Sequence, residues 1–342
     1  MVTLSPYEAI QHPPPDEVGS PGWLQWIINW ALLSPSPHNT QPWRWRIEGT
    51  TIELRADRSR RLSVCDPECR ELTIGCGSAL EHLLIALGSH RLSADVHLLP
   101  RPADPDALAD VVVGSGPPLP DAARLFAQLA VRRTHRGAYA DQPVGVEAIE
   151  ALVAGVTGRR VHAHVASVDQ RVALCELVKA GDQTQMRDPA FRHELSSWMR
   201  PAHGRHVDGM PSDLLGQHGL AAEIAPWAVR LLDLGGSQAT RDAALLEGSP
   251  VIAVVWSEQD DPLSWLETGR FFARLVLSAQ AAEIVSAHMN QPCELPDLRA
   301  RLASLTGING HPQLVLRFGN APPVHPSVRR PLVDVLDPSP QR

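Results

Sequence analysis

Ser36, His38, Asn39 and Gln41 fall within the stretch Ser34–Trp45, SPSPHNTQPWRW, which also contains Pro35, Pro37 and Pro42. A loop braced by prolines can hold hydroxyl, amide and backbone groups against a planar polar ligand. A second set, Arg132, Thr134 and Arg136, lies in Arg132-Arg-Thr-His-Arg136 at two-residue spacing. In extended backbone, successive side chains alternate, so these three share one side. Two guanidinium forks and a hydroxyl converging there suit a phosphate monoester. Each stretch also has a plainer reading. The proline- and tryptophan-rich segment fits a packing corner, and RRTHR fits a solvated basic turn after a helix.

The elements around the first stretch follow from periodicity. Five of the nine Trp residues lie between Trp23 and Trp45. Apolar residues at 23, 26, 27, 30 and 31 give one face of a helix over Trp23–Leu33. Pro35 and Pro37 stop it, since the residue before a proline is pushed out of the helical region. After Pro42 the pattern alternates through Trp43, Trp45 and Ile47, then Ile52 and Leu54, which predicts a β-hairpin turning at Glu48-Gly49. The loop is therefore held between a helix and a strand.

Further along, helices are expected over Leu72–Gly88, Asp121–Val131, Val146–Val153, Val168–Gln185, Trp265–Ala282 and Leu298–Leu305. Strands are expected at Val96–Leu99, Ala109–Val113, Val161–Val165, Val251–Trp256 and Gln313–Phe318. Residues 1–20, with Pro13-Pro14-Pro15, read as an irregular arm, and Gly114–Pro120 as a linker. Arg200–Gly219, polar and carrying His203, His206 and His218, reads as a long loop or short broken helix. Leu72-Thr-Ile-Gly75 and its helix are faintly repeated by Leu266-Glu-Thr-Gly269 and its helix. A strand ending in glycine follows each, at Gly114 and Gly319. Strands and helices interleave, so the class is α/β or α+β.

Composition bounds the partners. The 342 residues carry a net charge of −7, which argues against nucleic acid. No secretory leader is visible, no apolar run approaches membrane-spanning length, and five cysteines suit reduced thiols in a cytoplasm. Cys65, Cys69 and Cys76 lack the spacing of a zinc site, so no metal is expected. No GxGxxG, GxxxxGK[ST] or GxSxG pattern occurs in a supporting context.

PSPHNTQPW resembles the flavin-contacting loop of the nitroreductase superfamily, Pro-Ser-x-x-Asn-x-Gln-Pro-Trp, at Pro35, Ser36, Asn39, Gln41, Pro42 and Trp43. Arg132–Arg136 resembles that family's Arg-Arg-Ser-x-Arg start, and Gln142-Pro-Val144 follows as the family's Pro-Val does. Thr134 replaces the Ser, and Tyr139 comes one position later than the usual aromatic, which leaves the local backbone path open. Near the C-terminus Arg329 and Arg330 both match a further basic position of the family.

The resemblance implies FMN as cofactor. Ser36 and Asn39 would contact its ring, Pro35 and Pro37 would fix the loop, and Arg132, Thr134, Arg136 and Arg329 or Arg330 would hold its phosphate. It further implies hydride transfer from NAD(P)H to flavin N5 and onward to a nitro, quinone or similar planar acceptor, with no side chain required as acid or base. A flavoprotein that stores FMN with little turnover is the alternative, Arg200–Gly219 serving as a lid. Ordinary nitroreductases are homodimers whose sites draw on both subunits. Here each motif occurs once and in inverted order, as in the Acg-type branch. Of the two fold classes the resemblance selects α+β, and the implied fold is nitroreductase-like, with tandem halves 1–118 and 119–342 forming an intramolecular pseudo-dimer. One FMN per chain, a monomer, and neither nucleic acid nor membrane as partner follow from that reading.

Overall fold

Two long helices meet through glycine. A Cβ on Gly77 would fall 2.2 Å from the carbonyl oxygen of Leu266, and one on Gly269 would fall 2.0 Å from that of Ile74. The contact is reciprocal, and neither position leaves room for a side chain. The computed structural model containing it describes residues 4–114, 119, 121–156, 160–201, 204–215 and 219–338.

The first part of the chain forms α1 (Pro6–Ala9), α2 (Pro21–Ala31), β1 (Trp43–Glu48), β2 (Thr51–Ala56), α3 (Arg70–Ser89), β3 (Ser93–Leu98) and β4 (Ala107–Gly114). Then come α4 (Ala122–Leu129), α5 (Val146–Gly155), β5 (Val161–Val165), α6 (Val168–Arg187) and α7 (Pro189–Trp198). The short strands β6 (Met199–Arg200) and β7 (Met210–Pro211) precede α8 (Leu220–Leu231) and α9 (Gly235–Glu247). The chain continues through β8 (Val251–Ser257), α10 (Pro262–Ala281), β9 (Val285–His288), α11 (Gln291–Glu294), α12 (Pro296–Thr306) and β10 (His311–Gly319).

The two main sheets run β1-β2-β4-β3 and β5-β8-β10-β9, antiparallel at every neighbouring pair. Matching β1 to β5, β2 to β8, β4 to β10 and β3 to β9 makes the orders identical, and α3 then matches α10. Helices pack against antiparallel sheets, so the fold is α+β. The connections around the two sheets differ, β9 reaching β10 through α11 and α12 where β3 runs to β4 without a helix. A tight turn joins β1 to β2, whereas α6–α9 lie between β5 and β8.

Local chemistry explains the elements that frame the site. Ser20 caps α2 by accepting from the Trp23 amide at 3.3 Å, and Pro21 starts the helix with a preset φ. Trp23, Trp43 and Trp45 are completely buried, packed with Leu24, Ile27 and Ile28 of α2 and Leu80 and Leu83 of α3. Burial of each large side chain is worth about 1.5–3 kcal/mol, which fixes the helix-to-strand corner firmly. Val251, Ala253, Val255, Phe271, Leu275 and Leu316 build a second core on the other sheet.

Two expectations are corrected here. Residues 1–20 include α1, closed by a capping box in which Ser5 and Glu8 bond reciprocally. Trp26 Nε1 anchors that segment by donating to the carbonyls of Ala9 and His12. Helix α3 is long and apolar enough to cross a membrane, with a mean hydropathy of 1.3 in its best window, but 94% of that window is buried inside the protein. It is the central core helix. Of the expected linker, residues 115–118 and 120 lie outside the described residues.

The C-terminal segment returns to the first sheet. The Trp45 amide donates to Val335 O and the Asp337 amide to Trp45 O, both at 2.7 Å. That pairing carries Arg329 back to the loop after α2.

Candidate functional site

A cavity of about 560 Å³ lies where the loop Pro35–Asn39, α3, the segment Arg132–Arg136, α6–α9 and the β9–α11 connection converge. Pro35, Ser36, Pro37, Asn39, Arg132, Thr134, Arg136 and Arg329 all line it. Arg330 does not.

The loop is held in an uncommon conformation. His38, Asn39 and Gln41 have φ of 45°, 55° and 51°. Left-handed backbone at non-glycine residues costs on the order of 1–3 kcal/mol each, Asn tolerating it best, so surrounding bonds must over-determine it. They do. Ser36 Oγ accepts from the Gln41 amide at 2.8 Å, and the Asn39 and Thr40 amides donate to Ser36 O and Pro37 O. Gln41 donates to Val207 O at 2.9 Å and accepts from the Arg330 amide at 2.8 Å. Beneath the loop, a Cβ on Gly75 of α3 would sit 3.4 Å from both Ser36 and Pro37, so the helix backbone runs flush against it.

Asn39 differs from its expected role. Its Nδ2 donates to Gly209 O at 2.9 Å and Val328 O at 3.1 Å, while Oδ1 accepts from Arg329 at 3.1 Å. The side-chain amide is committed to the protein, and it is Ser36 whose hydroxyl proton remains free to donate.

Arg132–Arg136 is extended. Thr134 bridges Ser286 of β9, and the His135 amide donates to Ser286 O at 3.0 Å. Arg133 lies over the Tyr7 ring at 5.2 Å, which closes this end of the cavity with α1. His135 and Gly137 carbonyls are taken by Arg317 Nη2 at 3.0 and 2.8 Å, and Tyr139 stacks under the same guanidinium at 4.3 Å. That contact gives the late aromatic its place.

Among the described residues no carboxylate pairs with Arg132 or Arg136 at the basic end. Arg132 is 4% exposed with its Nε buried and unpartnered. Among the described residues neither Arg132 nor Arg136 finds a side-chain hydrogen bond or ion pair. Burial pushes both guanidiniums below their usual range, and the charge of Arg329 pushes them further. Burial likewise lowers His38 to about 4 and His288 to about 3, with Arg136 next in effect on each. Both imidazoles are therefore neutral beside the arginines. Arg330 faces elsewhere: it donates to Gln41 O at 3.2 Å and to Asp334 O at 2.8 Å and lies 3.6 Å from Asp57. Of the two adjacent arginines, Arg329 is the one at the cavity, and Arg330 anchors the tail.

Several lining groups went unread in the sequence. Asp182 and Gln185 stand one helical turn apart on α6, and Asp242, Gln291, Glu294 and Glu71 complete a carboxyl-rich end. Only their i, i+3 spacing could have drawn attention to the first pair.

A cap closes the cavity from α7, β6, β7 and α8. Phe191, Met199, Met210 and Val229 belong to one buried apolar cluster and, with Leu214 and Leu215, line the cavity. Where a long loop or broken helix was expected over 200–219, the described residues form a strand pair and a 3-10 turn at Ser212–Leu215. Asp208 ties this segment down through Arg200 at 2.8 Å and through Arg60. His203 and His218 lie outside the described residues. Cys65, Cys69 and Cys76 are buried free thiols, and among the described residues no group of three or more His, Cys, Asp or Glu side chains is arranged to hold a metal.

No protein-family profile matches the chain. It is 33% identical over 325 residues to a Mycobacterium tuberculosis protein named "Putative NAD(P)H nitroreductase Rv3131", covering 91% of this chain and 90% of that one. Another protein of the same organism, named "Putative NAD(P)H nitroreductase acg", is 26% identical over 334 residues, covering 94% and 97%. Among solved structures, the FMN and NADPH-dependent nitroreductase NfnB from Sphigopyxis sp. strain HMH overlaps 64% of this chain and 99% of its own, at 16% identity and a TM-score of 0.42.

Proposed function

The chain belongs to the nitroreductase superfamily, in the branch of the mycobacterial acg protein, and we propose that its cavity binds FMN and passes reducing equivalents from NAD(P)H to a small planar acceptor. The observation that carries this reading is the buried guanidinium of Arg132 beside the half-buried one of Arg136, neither with a side-chain hydrogen bond or ion pair among the described residues. Unpaired buried cations are costly, and a phosphate dianion restores the missing bonds at about 1.5–3 kcal/mol each.

Arg132, Arg136 and Arg329 would hold the phosphate, with the Thr134 hydroxyl as a further donor. FMN, when bound, supplies hydride acceptance at N5 and delivery of electrons to the acceptor. The protein's part is to bind, orient and keep out water. Pro35, Ser36 and Pro37 present a rigid edge to the ring, fixed through Gln41 and Gly75, while Met199, Met210 and Leu214 exclude solvent above it. No side chain is assigned as acid or base.

Residues 1–118 and 119–342 form the two nitroreductase-like halves of an internal pseudo-dimer, so that one monomer builds one complete site. A second site would need a basic start before α2, yet residues 1–22 contain no Arg or Lys. It would also need a second proline-rich loop after α6, where Asp188 caps the start of α7 instead, its side chain accepting from the Ala190 amide.

A storage role for FMN with little turnover is favoured by one feature, the hydrogen bonds from Asn39 and Gln41 that pin the cap to the loop. Mass spectrometry of heat-released cofactor, followed by anaerobic addition of NADPH, tests both readings. FMN that bleaches supports the reductase, and FMN that stays yellow supports storage. FAD, or no flavin after reconstitution, contradicts both.

A further inference from the structure

Four carboxyl groups line the cavity: Glu71, Asp182, Asp242 and Glu294. Three of them are served by the protein. Glu71 accepts from Arg70 at 3.0 Å and Asn290 at 3.2 Å, Asp242 from Gln238 at 2.8 Å and Gln291 at 3.0 Å, and Glu294 from Gln185 and Cys65. Each of these accepts through one oxygen only, as Asp182 does, and Asp182 is set apart by the burial of its second oxygen. Its Oδ1 accepts from Gln291 at 3.0 Å, but Oδ2 has no partner, the one buried carboxylate oxygen among the described residues left in that state. The residue is 4% exposed and lines the cavity. Next to it, Gln291 Oε1 is also buried and unpartnered. The charged groups acting on Asp182 are Asp242 and Glu294, both carboxyls. Arg241 and Arg317 act on Asp242, and Arg70 on Glu71 and Glu294, so the nearby cations serve its neighbours.

Two unpaired acceptors at one point of a cavity ask for a donor that the protein does not supply. A neutral donor would satisfy the lone pairs but leave the like-charge crowding of Asp182 and Asp242. A protonated nitrogen relieves both. We propose that the cavity wall at Asp182 is a subsite for the cationic nitrogen of a second ligand, so that the preferred acceptor is a nitroaromatic or quinone carrying an alkylammonium or amidinium group and not one carrying a carboxylate. This inference rests on the FMN reading for its view of what the ligand does, but not for the binding of the cation. Asp182 would be a specificity-determining residue, with Gln291 Oε1 as its partner in accepting from the same ammonium group.

The test is a calorimetric titration of the FMN-loaded protein with three probes of matched shape: para-nitrobenzylamine, para-nitrobenzyl alcohol and para-nitrobenzoate. The amine should bind about tenfold or more tightly than the alcohol, the scale of one charge-assisted bond, and the benzoate more weakly than either. Asp182→Asn should lower the amine's affinity to that of the alcohol. Equal affinities for the three, a preference for the benzoate, or no binding of any of them overturns the proposal. So does an Asp182→Asn variant whose FMN affinity falls while its amine preference persists, which would give the carboxylate to the cofactor. Should the protein fail to load FMN, the reading of the cofactor fails, and benzylamine against benzyl alcohol titrated into the apoprotein still decides the cation subsite.

Discussion

Asn39 accepts a hydrogen bond from Arg329 at 3.1 Å, joining the loop after the first core helix to the returning C-terminal segment. Arg329 also donates to Leu33 O at 3.0 Å and Val328 O at 2.9 Å, while its Nε stays buried without a partner. One side chain therefore fixes the loop and keeps donor capacity for a ligand. Asn39 in turn reaches the cap through Gly209 O. Loop, tail and cap meet on this single pair.

Asn39→Ala should therefore act on stability and binding together. It removes the side-chain donor of Gly209 O, one of the two donors of Val328 O and one of the acceptors of Arg329, at about 1–3 kcal/mol for a group left unpaired where water cannot reach. It also removes the residue type best suited to φ of 55°. A lower midpoint in urea and weaker flavin retention are expected. An unchanged midpoint would mean that the loop is held by packing alone.

Arg132→Ala combined with Arg136→Ala should separate folding from binding. Like charges without partners, Arg132 buried and Arg136 half-buried, penalise the apoprotein, so the double variant should be at least as stable as the parent in urea without flavin. Its flavin affinity should fall by about 3–6 kcal/mol, the sum of the two charge-assisted bonds. A destabilised apoprotein with flavin affinity intact would mean that the arginines are structural.

Asp182 gives a pH signature. Burial and then Asp242 raise its folded pKa to about 7 from an ordinary value of 3.8. Between those values the folded state binds the extra proton, so stability falls as pH rises from about 4 to about 7. Asp182→Asn removes that penalty. The variant should match the parent near pH 4 and exceed it near pH 8 by up to about 4 kcal/mol, the equivalent of the whole shift, in urea denaturation of the apoprotein. A gain that is the same at both pH values would show that the carboxylate is ionised throughout.

Asp208 holds the cap by pairing with both Arg200 and Arg60. Loosening it with Asp208→Ala should open the cavity more often. If one net bond of about 1 kcal/mol is lost, reduction of the bound flavin by dithionite should accelerate about fivefold. Unchanged rates with flavin still bound would mean that the cap does not gate access.

The sequence carried much of this arrangement, and the failures have physical causes. Trp43, Trp45 and Ile47 alternate and are buried as β1, and Gly75 and Gly269 sit on the helices where the faint repeat put them. Short-range periodicity specifies such elements because it specifies which face is buried. Arg329 and Arg330 could not be separated, since neighbouring residues in an extended tail point to opposite sides and only the pairing of Trp45 with Val335 and Asp337 decides which side faces the cavity. The family resemblance implied a ring contact for Asn39, but the carbonyls that take its amide protons come from Gly209 and Val328, far away in sequence. Of the cap, only Arg200–Gly219 was expected, as a lid, and α7 and α8 escaped notice for the same reason: the apolar cluster of Phe191, Met199, Met210 and Val229 is assembled from separate short elements.

The central claim is that a single monomeric chain binds one FMN by its phosphate. Titration calorimetry of the apoprotein with FMN and with riboflavin, which lacks only that phosphate, tests it most directly. The account predicts one FMN per chain in a monomer, with riboflavin bound at least about a hundredfold more weakly, as loss of two charge-assisted bonds requires. Two flavins per chain, or equal affinity for FMN and riboflavin, would contradict it.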